Sequence, residues 1–159
     1  MLREMTAYFI VKVIHIISST ILFGSGLAIA FFMFCSKFSA NLHEKYFAAR
    51  YTVTADLVFT LPAVIIQPLT GFWMVWYAGY SWSASWLMLT YILYIIAGAC
   101  WLPVVWLQIE LKRILKLCIE QNYKLPGRYH QLFNLWFMLG WPAFLSLLVI
   151  FYLMVNKPS

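Results

Sequence analysis

The chain has 159 residues, of which 64% are hydrophobic and 10% are charged, and its formal net charge is +6. This composition excludes a soluble globular domain, because such domains carry about 25% charged residues. The basic residues lie mainly between apolar stretches, so the positive charge is expected to reflect membrane topology and not nucleic-acid binding.

Four apolar stretches are each long enough to cross a hydrocarbon layer of ~30 Å, which takes about 20 helical residues. They cover residues 8–34, 53–77, 86–108 and 132–155. The sequence therefore predicts an all-α protein, with residues 1–159 forming a single integral membrane domain built as a four-helix transmembrane bundle.

Lysine and arginine predict the orientation, because positively charged loops stay on the cytoplasmic side. The segments after helices one and three carry most of them: Lys37, Lys45, Arg50, Lys112, Arg113, Lys116, Lys124 and Arg128. The opposite side has Arg3 and Lys157. Both termini are therefore predicted to lie outside, and the two basic loops to contact anionic headgroups at the cytoplasmic surface.

The first helix carries Lys12 and His15 in its outer part. Lys12 is about one turn from the membrane boundary, so either its ammonium simply extends to the headgroups or it has a functional role. His15 is the only histidine within a span and lies too deep for its side chain to reach the headgroups. Imidazole commonly ligates haem iron, so His15 is a candidate metal ligand, and a hydrogen-bonded structural histidine is the alternative.

The second helix carries Asp56 and Gln67. Asp56 falls near the cytoplasmic face, where it either forms an ion pair with inner-surface cations or relays protons. Gln67 lies toward the outer face and is predicted to donate a hydrogen bond between helices. The helical period places Lys12 with His15, and Asp56 with Gln67, on one face of each helix, and both faces are expected to point into the bundle.

The third helix is predicted to continue beyond residue 108 to about residue 120, through IELKRILKLCIEQ. Leu111, Ile114, Leu115 and Cys118 form one apolar stripe, with basic residues on the other faces. A basic amphipathic helix is typical of segments that lie against anionic headgroups, and docking of a partner is the alternative.

Four segments carry a family resemblance: VKVIHIIS, LPAVIIQPLTGFWM, WLPVVWLQIELKR and LGWPAFLSLLVIFYLMVNKP. Together they resemble a bacterial family of small predicted integral membrane proteins of unknown function, which implies a multi-pass protein of the bacterial inner membrane. At greater distance, the first helix with Lys12 and His15 is similar to the opening helix of bacterial membrane-bound protoporphyrinogen IX oxidase. The four-helix layout is similar to that of copper-resistance D membrane proteins.

The distant resemblance implies a haem b with His15 as an axial ligand. Lys12 lies one turn closer to the surface, where its ammonium could neutralise a haem propionate. No second histidine lies within a span, so the other ligand would be Met74 or Met88, would come from a second copy of the chain, or would be absent. The oxidase family has a further essential lysine in a later helix, and the spans of helices two to four contain none. Protoporphyrinogen oxidation itself is therefore not implied.

These features predict a haem-binding redox or electron-transfer component of the inner membrane, and they leave open whether it is an enzyme. Its partner would be a membrane redox protein or a second copy of the chain. One alternative is a non-catalytic accessory or scaffold subunit of a membrane complex. Another is a small-solute or metal permease built around Lys12, His15 and Gln67.

Overall fold

The computed structural model describes residues 2–158, with side chains from residue 5 onward. The elements are α1 (Leu2–Ser36), α2 (Leu42–Ala55), a π-helical turn (Asp56–Thr60), α3 (Leu61–Tyr77), α4 (Ser85–Glu120) and α5 (Gly127–Asn156). The segment from α2 to α3 is one continuous rod, and each of the four rods is long and apolar enough to cross a membrane. The predicted all-α, four-helix transmembrane fold is confirmed, and its orientation stays a prediction.

The two ends of the bundle differ in charge. The basic end holds the loops at residues 37–41 and 121–126, and the terminal end holds both chain termini with the loop at residues 78–84. At the terminal end, Lys157 Nζ donates to the Tyr80 hydroxyl at 2.8 Å, and Tyr8 stacks on Tyr77. The side chain of Arg3, counted above as an outer charge, lies outside the described part of the chain.

The second rod begins at Leu42 and not near residue 53, so Lys45 and Arg50 lie on a helix and not in a loop. The segment LHEKYFAARYT is too polar to be recognised as a membrane span. It is helical because the Asn41 side chain caps its start, accepting from the His43 backbone N–H at 2.8 Å. The fourth rod likewise begins early, at Gly127 and not near residue 132.

Lys45 joins α2 to the end of α1. Its ammonium is buried and donates to the backbone carbonyls of Ser36 and Lys37, each at 2.8 Å. The last carbonyls of a helix have no partner within the helix and carry partial negative charge, so a lysine there satisfies them and opposes that charge. This side chain therefore fixes the first two rods to each other at the basic end.

The main apolar core lies toward the basic end. The apolar stripe of α4, from Leu111 to Cys118, packs there with residues of α1, α2 and α5. The cluster comprises Met33, Ala49, Val104, Leu107, Leu111, Ile114, Leu115, Cys118, Tyr129, Phe133 and Trp136. The stripe is thus buried in protein and does not lie on headgroups. Along the spans, large apolar side chains such as Phe32, Ile95 and Leu102 point outward, as lipid-facing positions require.

Helix α1 packs antiparallel against α3 and the π-helical turn in one constant register. The paired side chains are Tyr8 with Tyr77, His15 with Thr70, Ser18 with Gln67, and Ser25 with Thr60. Three of these four pairs are hydrogen-bonded. Hydrogen bonds are directional, so these contacts specify the register more strictly than apolar packing alone.

Candidate functional site

The His15 imidazole lies between α1 and α3 in the terminal half of the bundle. Its Nδ1 is 2.7 Å from the Thr70 hydroxyl oxygen. The Gln67 amide nitrogen donates to the His15 carbonyl oxygen at 2.8 Å and also to the Ser18 hydroxyl. We call His15, Ser18, Gln67 and Thr70 the His15 network. Among the described residues, none of its buried side-chain atoms lacks a partner, so the network joins the two helices.

Thr70 determines which imidazole nitrogen carries the proton. Its hydroxyl donates to the Ile66 carbonyl of its own helix at 2.7 Å, which leaves its oxygen to accept from His15 Nδ1–H. Nε2 then keeps its lone pair and is the nitrogen able to bind a metal. Gly71 leaves space beside the ring, because a Cβ at that position would lie 3.4 Å from His15 Cε1.

The other predicted haem residues are exposed or half-buried in the single chain. Lys12 is exposed one turn before it, and Met74 is half-buried one turn beyond Thr70. Met88 lies on α4 with 47% of its surface exposed. The described residues contain no group of three or more His, Cys, Asp or Glu side chains that could hold a metal ion.

A second polar site borders a cavity of about 370 Å³ that residues of all four rods line. We call it the central cavity. Its wall is almost entirely aliphatic and aromatic, and its polar members include Asp56, Trp101, Gln108 and Trp136, which we call the Asp56 cluster. Small-molecule sites are typically apolar cavities of about 300–1,000 Å³ with a few polar groups. His15 is not among the lining residues.

The π-helical turn presents Asp56 to this cavity. The Leu61 backbone N–H donates to the Asp56 carbonyl, five residues earlier and not four. Pro62 follows directly, and because it has no N–H and its ring crowds the carbonyl four residues before it, the ladder of hydrogen bonds must widen here. Asp56 and Thr60, the first and last residues of the turn, both line the cavity. π turns of this kind are frequent at functional sites.

The Asp56 cluster is buried but incompletely hydrogen-bonded. Asp56 is 3% exposed and Gln108 is 1% exposed. The Trp101 indole N–H donates to Asp56 Oδ1 over a long 3.5 Å. Three side-chain atoms of this cluster have no partner within the described chain: Asp56 Oδ2, Gln108 Oε1 and Trp136 Nε1.

The ion pair considered for Asp56 is not formed among the described residues. The ion pairs found there join Glu110 to Arg113 and Arg128, and Lys116 to Glu120. These ion pairs lie on α4 and at the start of α5, and none of them includes Asp56. The Asp56 carboxyl group is left to the central cavity, where a buried charge without a partner is costly.

Sequence reasoning singled out Asp56 but missed Gln108 and Trp136. Gln108 had a usable signal, because Trp101, Val104 and Gln108 follow steps of three and four and so share one helix face. Its position at the polar end of the predicted span 86–108 conceals this signal. Trp136 had no such signal, since tryptophan is common both at membrane boundaries and in cores.

Residues 9–158 match a family described as "Predicted integral membrane protein (DUF2269)". This match confirms the resemblance seen in the four sequence segments. The likenesses to protoporphyrinogen IX oxidase and to copper-resistance D proteins stay predictions. No curated protein and no solved structure matches the chain.

Proposed function

Because the chain belongs to the family of predicted integral membrane proteins (DUF2269), we propose that it acts within the bacterial inner membrane by binding a small membrane-soluble molecule in the central cavity. One observation carries this proposal. Of the five buried polar atoms without partners among the described residues, Asp56 Oδ2, Gln108 Oε1 and Trp136 Nε1 belong to residues that border this cavity, whereas the Tyr91 and Tyr129 hydroxyls do not. A buried polar atom left unpaired costs about 1–3 kcal/mol, so three at one site favour a partner in the working protein.

The shape and lining of the cavity favour an organic molecule over water alone. Bound water needs about two to four polar partners each, and apolar cavities stay dry. Here the polar groups occupy one part of the wall, and the remainder is made of side chains such as Leu22, Phe144 and Leu147. Water near Asp56 would leave the apolar part of the cavity empty. A molecule with one polar end would pair with the polar atoms and also fill the apolar part.

A cavity-filling variant tests the proposal. Gly140 lines the cavity on the same face of α5 as Trp136 and Phe144, and a Cβ built there meets no atom within 4 Å. Gly140→Leu is therefore expected to fill the space without displacing the helices. Native mass spectrometry of the wild-type protein, released from lipid nanodiscs, should show one bound small molecule, and Gly140→Leu should lose it.

Gly24→Leu is the matched control. Gly24 is also a helical glycine with open space around its Cβ position, but it does not line the cavity. It should gain the same helix propensity, roughly 1 kcal/mol, and keep the bound molecule. Equal occupancy in Gly140→Leu and wild type, or no bound molecule in the wild type, would contradict the proposal.

Haem b ligated by His15 is the second candidate, and the Thr70 hydrogen bond favours it. This bond holds the proton on Nδ1, and a ligating histidine usually donates its other ring N–H in this way. Haem would supply electron transfer when bound. His15 does not line the central cavity. We therefore propose that a haem bound by His15 would lie between α1 and a second copy of the chain or a membrane redox partner.

Absorption spectroscopy tests the haem candidate. Protein purified in mild detergent after growth with ample haem precursor should show a Soret band that shifts on reduction. His15→Ala should lose the band and keep the helical circular dichroism signal, and Asp56→Asn should keep both. A colourless wild-type protein would eliminate this candidate and leave the cavity proposal unaffected.

A further inference from the structure

The polar end of the central cavity offers mainly hydrogen-bond acceptors. Asp56 Oδ2 and Gln108 Oε1 are both acceptors without a partner, and Trp136 Nε1 is the single unpaired donor. No lysine or arginine of the described chain forms an ion pair with Asp56. On the basis of the proposed function, we infer that the ligand is an amphiphile whose head donates hydrogen bonds, as an ammonium or a hydroxyl group does, to Asp56 and Gln108.

An anionic head does not fit this site. A carboxylate or phosphate would place its own lone pairs against Asp56 Oδ2 and Gln108 Oε1. The repulsion between these negative groups is weakly screened in a low-dielectric interior. An ammonium group gives up to three donors and neutralises the carboxylate. A hydroxyl group donates once and also accepts, so that it can pair with the Trp136 indole as well. We therefore expect that fatty acids and molecules with phosphorylated head groups do not bind in the cavity.

The apolar body of the ligand is expected to enter sideways from the lipid, between α1 and α5. Small residues face each other along this part of the cavity wall: Gly26 and Ala30 on α1, and Gly140 and Ala143 on α5. Gly26 and Ala30 are exposed, and a Cβ at Gly26 meets no atom within 4 Å. The two helices therefore leave a gap at this level that opens toward the lipid.

Stacked phenylalanines close this gap at both ends. Phe23 stacks on Phe144 with ring centroids 5.1 Å apart, and Phe34 stacks on Phe137 at 5.4 Å. Along α1 the two stacks are about 16 Å apart, at 1.5 Å per residue. The opening is thus bounded toward both membrane surfaces, and its free direction is the hydrocarbon layer, where an amphiphile already places its chain.

Quenching of tryptophan fluorescence tests the head group. Trp101, Trp136 and Trp141 line the cavity, so a bound bromine atom should quench them. The protein in phosphatidylcholine nanodiscs is titrated with terminally brominated dodecylamine, dodecanol and dodecanoic acid, and Gly140→Leu supplies the background from probe dissolved in lipid. The amine or the alcohol should quench saturably above this background, and the acid should not.

Two substitutions then distinguish the ammonium from the hydroxyl. If the head is an ammonium, Asp56→Asn should weaken the amine roughly tenfold to hundredfold, because a charge-assisted hydrogen bond is lost, and should change the alcohol much less. If the head is a hydroxyl, Gln108→Leu and Asp56→Asn should weaken the alcohol by similar factors. Gln67→Leu, in the His15 network, should leave every probe unchanged.

Failure of this inference is distinct from failure of the proposed function. Saturable quenching by the acid above the Gly140→Leu background, equal to or stronger than that by the amine and alcohol, would overturn the head-group assignment and keep the cavity as a binding site. Quenching by all three probes that is the same in wild type and Gly140→Leu would overturn both.

Discussion

The His15 network and the Asp56 cluster are two groups of buried polar side chains, one in each half of the bundle. The His15 network joins α1 to α3 near the terminal end, and its buried side-chain atoms are paired in the described chain. The Asp56 cluster lies nearer the basic end, where residues from three rods meet around a cavity and three atoms have no partner. Polar groups within a membrane either join helices or form a binding or catalytic site. Complete hydrogen bonding indicates the first role, and unpaired buried atoms indicate the second.

The largest expected effect concerns the orientation of the bundle, which decides which of the two polar groups lies in the cytoplasmic half of the membrane. If the basic end is cytoplasmic, a reporter fused to the C-terminus should be active only in the periplasm, and one inserted near Asn122 only in the cytoplasm. The Asp56 cluster would then lie in the cytoplasmic half of the membrane and His15 in the outer half. The reverse activities at both positions would exchange the two halves.

The next largest effect is expected from Gln67→Leu. This change removes the two hydrogen bonds from the amide nitrogen to the His15 carbonyl and the Ser18 hydroxyl. The free energy of unfolding should fall by about 1–2 kcal/mol, the range for two hydrogen bonds inside a membrane protein. Reversible unfolding in mixed detergent micelles measures it, and an unchanged stability would show that the network does not hold the helices together.

Thr70→Val should have a smaller effect, about 0.5–1 kcal/mol of destabilisation. It keeps the shape of the side chain but removes the oxygen that accepts from His15 Nδ1–H. Nuclear magnetic resonance of labelled histidine gives a second measurement, because the wild-type imidazole should carry its proton on Nδ1 and the variant should lose that preference. A wild-type ring protonated on Nε2 would contradict the assignment.

The smallest effect is expected from Gln108→Leu, which makes the same substitution in the Asp56 cluster. Removing the unpaired Oε1 is favourable, and losing the amide beside Asp56 opposes this gain, so the free energy of unfolding should change by about 0.5 kcal/mol or less. The contrast with Gln67→Leu, measured under the same conditions, is the sharpest test of the comparison. A loss as large as that of Gln67→Leu would show that Gln108 is equally structural.

The sequence predicted the four spans because length and hydropathy decide them. It did not predict that the second rod starts at Leu42, since the segment is polar and its burial depends on contacts with α1 and α4. Lys45 illustrates the reason: counting assigns it to a cytoplasmic loop, and its burial depends on the position of the α1 carbonyls. A contact of this kind follows from how two helices pack, which composition does not record.

The candidate site was only partly predicted, because its geometry also depends on how the helices pack. Periodicity placed His15, Asp56 and Gln67 on inward faces, but it could not pair His15 with Thr70 or separate His15 from Asp56. Those relations depend on the register between rods. Gln108 and Trp136 belong to the cluster because α4 and α5 line the same cavity as the π-helical turn, so no single segment of the sequence contains the cluster.

The π-helical turn at Asp56–Thr60 can also be described as a one-residue insertion in the second rod. An α-helix turns by about 100° per residue, so deletion of one residue from this turn would restore an α-helix and rotate everything before it by that angle relative to α3. Lys45 would then point away from the end of α1, and Asp56 away from the cavity. This single extra residue thus lets the second rod do two things at once. It keeps the hydrogen-bonded pairing with α1, and it points Asp56 toward the cavity residues of α4 and α5.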